Sequence, residues 1–512
     1  MRIKVCLILA ILCFLTACAE TPKEKIVVNK SEGLPSETII PADNNTAKDL
    51  EVPDYWKGTI EKSDGYVKVT ADYEMNIPEI YNTPVYSYEL IPMTREMLEN
   101  LCRYFVGDKE FYKVPSMTKD ELKKEKEKFD HRKGGWGRYY GTSVNANMRY
   151  EMAERWEEMI AQAPETQEER KYVNLEFTSP EQLEIEYLKE LSPYIRQRYS
   201  KYYYDTDKKI GFTAKVETEE KNDPVIRAVV YDKTIGSTSN FLYNQGIFID
   251  ERELEYLDEN NKIYKEASDQ YISFLKDLMM NTEDGSLSKE DALNETKKVL
   301  KDLSLEEFEV TDCVKAVGTL DSESWGGIDE TDNVCTAYSI YLSKKTGELT
   351  AYDQTGGAPS DGLAEKTYAP SFFSEKIHLT ISSKGIHQFE WTDFAQYKDT
   401  IAENTRLLPF KEIADRAAAH LLYDTISRMG ENDKASGSRW VYEVKNVQLR
   451  MGNINAYEDP SAVWMVPVWV FDFYTIWDGE SGESKVTSSI TVVINAIDGG
   501  YVNPKVDSRI GV

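Results

Sequence analysis

The sequence predicts an α+β fold, mainly antiparallel sheets with helices packed on one face. Three observations predict it. Strand-like stretches come in groups divided by turn signals, not in one-for-one alternation with helices, which argues against a parallel, doubly wound sheet. In the C-terminal half an amphipathic helical stretch precedes each of two such groups, one from Ser288 to about Leu303 and one carrying Phe410, Ile413, Ala414, Ala417 and Leu421. The order helix, strand, strand, strand therefore occurs twice, once before Tyr352 and once after Pro409.

The first element with core-forming pattern is a strand over Trp56 to Ile60. Ser63-Asp64-Gly65 turns it into Tyr66 to Tyr73, where Val67, Val69, Ala71 and Tyr73 share a face. A further strand spans Val85 to Leu90. Thr94 caps a helix whose stripe is Leu98, Leu101, Cys102 and Phe105, which makes Cys102 a core thiol. Met117 to Asp130 is a solvated, Lys- and Glu-rich helix. Helices follow with Met152, Trp156, Met159 and Ile160 on one face, and over Glu181 to Tyr194 behind Pro180. Strands are expected at Phe212 to Val216, Val225 to Tyr231 and Ile247 to Ile249, and a helix carries Tyr271, Phe274, Leu275 and Leu278.

In the second half, Ser288 and Asp291 form a capping box. Strands follow at Phe308 to Val317, Val334 to Leu342 and Glu348 to Tyr352. A hairpin over Lys376 to Trp391 turns at Lys384-Gly385, with Ile377, Leu379 and Ile381 on one side. The last group is Trp440 to Met451, Ala462 to Tyr474 and Ser488 to Ala496. Pro467 has no N–H for a ladder, so a bulge or an edge position is expected there.

The N-terminus gives an address. Arg2 and Lys4 precede an apolar run, Val5 to Leu15, too short to span a bilayer comfortably, and Leu15-Thr16-Ala17-Cys18 follows. This resembles the lipobox of bacterial lipoproteins. The resemblance implies cleavage before Cys18 and a diacylglyceryl thioether on its sulfur. An ordinary secretory leader containing a cysteine is the alternative. No later apolar run approaches spanning length, so the anchor is expected to be lipid alone, on the extracellular face of the cell membrane.

The expected organisation is a signal peptide over 1–17, a lipidated flexible tether over 18–54, and an N-terminal α+β domain over 55–285. A first helix-and-strands unit covers 286–370, and a hairpin with a second unit covers 371–512. The tether expectation rests on Pro22, Pro35, Pro41 and Pro53 among polar residues.

The formal net charge is −28, and losing the leader leaves it at about −30, a surface that repels nucleic acid. Low cysteine usage fits an exported protein without a disulfide framework. Cys313 and Cys335 stand on consecutive strands and form one candidate disulfide; two buried thiols are the alternative.

A helix, three strands and a terminal turn Asn495-Ala496-Ile497-Asp498-Gly499 resemble the PepSY-like module of exported bacterial proteins. The wider chain resembles an uncharacterised family of Gram-positive lipoproteins. That likeness rests on the lipobox, on Tyr55-Trp56-Lys57-Gly58-Thr59, on Leu407-Leu408-Pro409-Phe410-Lys411-Glu412-Ile413 and on Val466-Pro467-Val468-Trp469. It implies a binding or regulatory partner, an envelope protein or a cell-wall ligand, and carries over no active residues.

No cofactor, metal or catalytic residue is predicted. The four histidines, His131, His378, His387 and His420, show no His-Glu-x-x-His spacing, and neither a Walker A loop nor a Gly-x-Ser-x-Gly elbow occurs. His378 and His387 share a hairpin and are weighed as a metal pair. Asp205 to Gly211 and Asp321 to Asp332 are weighed as calcium loops, and neither has EF-hand spacing. The expected role is a non-enzymatic binding or regulatory module. The alternative is an extracellular hydrolase or carbohydrate-binding enzyme with Trp136 and Trp325 as stacking platforms. A solute receptor is disfavoured by the grouping of the strands.

Overall fold

A computed structural model describes residues 30–43, 45–62, 65–77, 79–131, 157, 160–179, 207–218, 222–235, 237–255, 269–281, 287–320, 328, 332–352, 367–368, 370–428, 439–459, 461–478 and 484–503. Cys18, Trp136, Trp325, the helices expected around Trp156 and Glu181, and most of both acidic loops lie outside them.

The N-terminal elements are β1 (Asn45–Thr46), β2 (Tyr55–Lys62), β3 (Val67–Glu74), β4 (Ile80–Tyr81) and β5 (Val85–Leu90). Then come α1 (Arg95–Val106), β6 (Phe111–Tyr112), α2 (Lys119–His131), β7 (Tyr172–Val173), β8 (Gly211–Val216), β9 (Val225–Val229), β10 (Asn240–Asn244) and β11 (Ile247–Asp250). The middle holds α3 (Asp269–Asn281), α4 (Lys289–Asp302), β12 (Phe308–Thr319), β13 (Val334–Thr346), β14 (Leu349–Thr350) and β15 (Thr367–Tyr368). The chain continues through β16 (Lys376–Ser382), β17 (Gly385–Thr392), β18 (Ala395–Ala402), α5 (Phe410–Arg428), β19 (Arg439–Asn455), β20 (Val463–Asp478), β21 (Ser484–Asn495) and β22 (Tyr501–Val502).

Two large sheets form, and the class is α+β as expected. The first runs β11-β12-β13-β16-β17-β10-β9-β8-β6-β7, with β14 on β13. The second runs β15-β22-β21-β20-β19-β3-β2, with β5 on β20 and β18 on β5. Pairing is antiparallel except at β19–β3 and β15–β22. The sheets do not follow the boundaries expected at 285 and 370. The β16–β17 hairpin sits between β13 and β10, while β2, β3 and β5 join the C-terminal strands. Non-local pairing decides this, and no local pattern encodes it.

α1 and α4 lie on one face of the first sheet, where Leu98, Cys102, Ala292 and Val299 meet Ile340, Ile377, Leu379 and Phe389. Both helices start as their caps dictate: Thr94 accepts from the Met97 N–H, and Ser288 and Asp291 close the capping box. α5 covers the second sheet through Ile413, Ala417 and Leu421 against Trp469 and Phe471. β20 is buried on both faces, which explains its continuous apolar run. Pro467 is neither at a bulge nor at an edge. It pairs with Met451 on one side, and on the other it stands between the stretch bonded to β5 and the stretch bonded to β21. The missing N–H falls in that gap.

The flexible tether is corrected from Lys30 onward. Leu34 is fully buried; its N–H donates to the Asn455 carbonyl and its own carbonyl accepts from the Tyr457 N–H. Asn45 is buried and donates to Thr83 Oγ1 (2.7 Å) and to the Thr405 carbonyl (2.9 Å). The Leu50 carbonyl receives the Phe410 N–H at the start of α5. Residues 30–54 are a strap. Its order comes from hydrogen bonds to distant parts of the chain and from isolated buried side chains such as Leu34 and Leu50, not from a continuous apolar pattern, which is why composition misjudged it.

Candidate functional site

Between α1 and α4 the first sheet is left open at the tip of the β16–β17 hairpin. The opening is a cleft of about 860 Å³. Phe105, Tyr243, Ile381 and Ile386 form its floor. Phe105 lies nearly parallel to Tyr243, with ring centroids 5.0 Å apart, and Tyr104 stands edge-on to it. The rings are therefore held by one another, and the floor is rigid.

One wall is α4. Asp291, Glu295, Lys298 and Asp302 recur at spacings of four, three and four, which puts them on a single stripe that lines the cleft. Glu295 receives Lys298 at 3.2 Å, and Asp291 is engaged by Ser288 at 2.6 Å. The opposite wall carries Tyr104. Burial first, then Asp302 and Glu295, push its phenol upward, so it stays a hydrogen-bond donor. The cleft thus pairs an apolar floor with a rim of three carboxylates and one ammonium. Sequence reading placed Phe105 on the core stripe of one helix and made α4 the amphipathic helix that opens a group of strands; only the sheet shows that the two face a common opening.

At the hairpin tip, Ser382 Oγ and His387 Nε2 are 2.6 Å apart. This is the distance of a nucleophile and its base. The setting is different. Both residues are about 2% exposed, His387 stacks on Phe248, and its Nδ1 has no partner among the described residues. Burial, then Lys384, lowers the imidazole to about 4. The Lys384 N–H also donates to Ser382 Oγ. The pair locks the turn.

A second buried polar centre joins the two sheets. Glu375 pairs with Lys344, accepts from Trp391 Nε1 at 2.7 Å, and is nearly inaccessible. Lys344 also donates to the carbonyl of Ala395, the first residue of β18. Burial raises Glu375 to about 7 despite the opposing pull of Lys344 and Trp391.

The other residues singled out by sequence are separated. His378 stacks on Tyr341 and His387 on Phe248, so the two do not meet; His420 stacks on Tyr501. Among the described residues no group of three or more His, Cys, Asp or Glu could hold a metal ion. Cys102 is buried in the first core, and burial pushes its thiol up to about 12. Cys313 and Cys335 are on paired strands but out of register. Cys313 faces Ile340 and Cys335 faces Gly318. Five residues of offset put the two about 17 Å apart at a strand's rise per residue, beyond disulfide reach. Both are buried thiols outside any disulfide, which corrects the candidate disulfide. Among the described residues no helix is long and apolar enough to cross a membrane.

No family model matches the chain, and no curated protein is similar to it. The solved structures similar to it include two at 11% identity. One is an uncharacterised protein from Eubacterium rectale ATCC 33656, with a TM-score of 0.34, covering 90% of this chain and 99% of that one. The other is the Bacillus megaterium YpeB C-terminal domain, with a TM-score of 0.19, covering 57% and 86%.

Proposed function

We propose that this chain is a non-enzymatic binding or regulatory module of the cell envelope, held at the extracellular face by lipid on Cys18, and that its ligand occupies the cleft between α1 and α4. The cleft carries this reading: it combines an opening of about 860 Å³, a rigid apolar floor and convergent polar groups. The lipobox resemblance supports the location. The twofold run of helix and strands, α4-β12-β13-β14 and α5-β19-β20-β21, supports the resemblance to two PepSY-like units.

Two experiments test it. Replacing Cys18 with Ala releases the protein from membranes or leaves it unprocessed; unchanged detergent partitioning refutes the anchor. A photo-crosslinking residue at Ile386, in the cleft, gives a discrete adduct in intact cells, and the same residue at exposed Tyr423 on α5 does not. No adduct at Ile386, or the same adduct at both positions, refutes the cleft as the ligand site.

A further inference from the structure

β2 is the last strand of the second sheet, and among the described residues nothing pairs with its outer edge. It is eight residues long, Tyr55-Trp56-Lys57-Gly58-Thr59-Ile60-Glu61-Lys62. Such an edge offers a row of backbone donors and acceptors to another strand. Its pattern is complementary to itself. When the strand is laid antiparallel to a copy about a two-fold axis through Thr59, Lys57 falls opposite Glu61 and Glu61 opposite Lys57. Gly58 then falls opposite Ile60, and Thr59 opposite Thr59.

The two faces of that pairing differ usefully. On the face carrying Lys57, Thr59 and Glu61, two cross-strand ion pairs flank a Thr–Thr contact, each a favourable class of pair. Lys57 is available for this: its contact with Asp72 is 3.5 Å between exposed side chains. On the other face Gly58 leaves open space, with no atom within 4 Å of where a Cβ would stand. That space belongs to a groove of about 320 Å³ lined by Trp56, Ile60, Phe410 and Ala414. Ile60 of a second copy would sit over Gly58 and fill it.

We infer that β2 is an isologous docking edge, and that its occupant is β2 of a second copy of this chain, in the Thr59-centred antiparallel register. The second sheets of two molecules then become one continuous sheet across a two-fold axis. A strand from an unrelated protein lacks the reason for the exact Lys57/Glu61 and Gly58/Ile60 complementarity. Each copy carries a net charge of −28, so the contact works against long-range repulsion and is weak in dilute solution.

Charge reversal tests the register with the full chain in mild detergent. K57E sets Glu against Glu61, and E61K sets Lys against Lys57, so sedimentation velocity should show association weakened about tenfold in each. Mixing K57E with E61K, or combining both changes in one chain, restores every pair and should return association to within about threefold of wild type. A T59C variant should cross-link to itself through a short bis-maleimide, while the wild type, whose Cys102, Cys313 and Cys335 are buried, should not. A wild-type monomer that yields no T59C dimer overturns the inference. So does a dimer indifferent to K57E, or a T59C adduct formed only with a different protein.

Discussion

Glu375 and His387 stand at opposite ends of one hairpin, the first just before β16 and the second beside its turn, and burial moves their protonation in opposite senses. The carboxyl rises from 4.5 to about 7, and the imidazole falls from 6.5 to about 4. Between pH 4.5 and 7 the folded chain keeps a proton on Glu375 that the unfolded chain releases. That contribution to stability is full below 4.5 and is lost as pH rises through 7. His387 stays neutral in the folded chain while the unfolded imidazole takes up a proton below 6.5. Its contribution is full above 6.5 and is lost as pH falls through 4. The two shifts are similar in size and offset each other where the windows overlap.

Glu375→Gln therefore unmasks the histidine. Stability of the variant should rise by about 3 kcal/mol between pH 4 and 6.5, with a wild-type profile much flatter over that range. Above pH 7, where the wild-type carboxyl is ionised, the variant should lie lower, because Lys344 is then left buried beside a neutral group. Urea midpoints at a series of pH values measure the slope, and a variant as flat as wild type contradicts the offset.

His387→Phe does the reverse. The ring stack on Phe248 is kept and the imidazole's titration is gone. Stability should now fall between pH 4.5 and 7, by a similar amount of about 3 kcal/mol. The same urea series reads it, and a rising profile would be decisive against it.

Leu34→Ala probes the strap. A residue in a flexible tether tolerates this change silently. A fully buried leucine loses about 2–5 kcal/mol. Thermal unfolding should show a clear drop in midpoint, and an unchanged midpoint would return residues 30–54 to the tether.

Cys313 and Cys335 should both be alkylated after unfolding without reductant, with no linked peptide in the mass map. The offset of Cys313–Ile340 against Cys335–Gly318 allows no other result. A linked peptide would mean that the β12–β13 register is wrong.

Local rules made much of the fold legible. The capping box at Ser288 and Asp291, the alternation of Ile377, Leu379 and Ile381, and the apolar run of β20 each report on a few neighbouring residues, and each was found as expected. What was hidden depends on partners far away in the chain. Cys313 and Cys335 looked adjacent because consecutive strands were known and their register was not. Residues 30–54 looked unstructured because Leu34 and Leu50 are isolated apolar residues among polar ones, and only the distant Asn455 and Phe410 reveal their use. The cleft was hidden for the same reason. Charges at Asp291, Glu295, Lys298 and Asp302 have the signature of an ordinary solvent face until α1 is placed across from them.

The strap has a consequence for how crowded this protein becomes. It begins at Lys30, clasped by Asp498 and Tyr368, and only eleven residues lie between that clasp and Cys18. Fully stretched, they reach about 40 Å. With lipid on Cys18 as proposed, every copy is confined to a layer little thicker than itself. Encounter then depends on how many copies share a patch of membrane, not on the bulk concentration. A β2 contact too feeble to persist in a test tube would fill or empty as the cell raises or lowers the number of copies it displays.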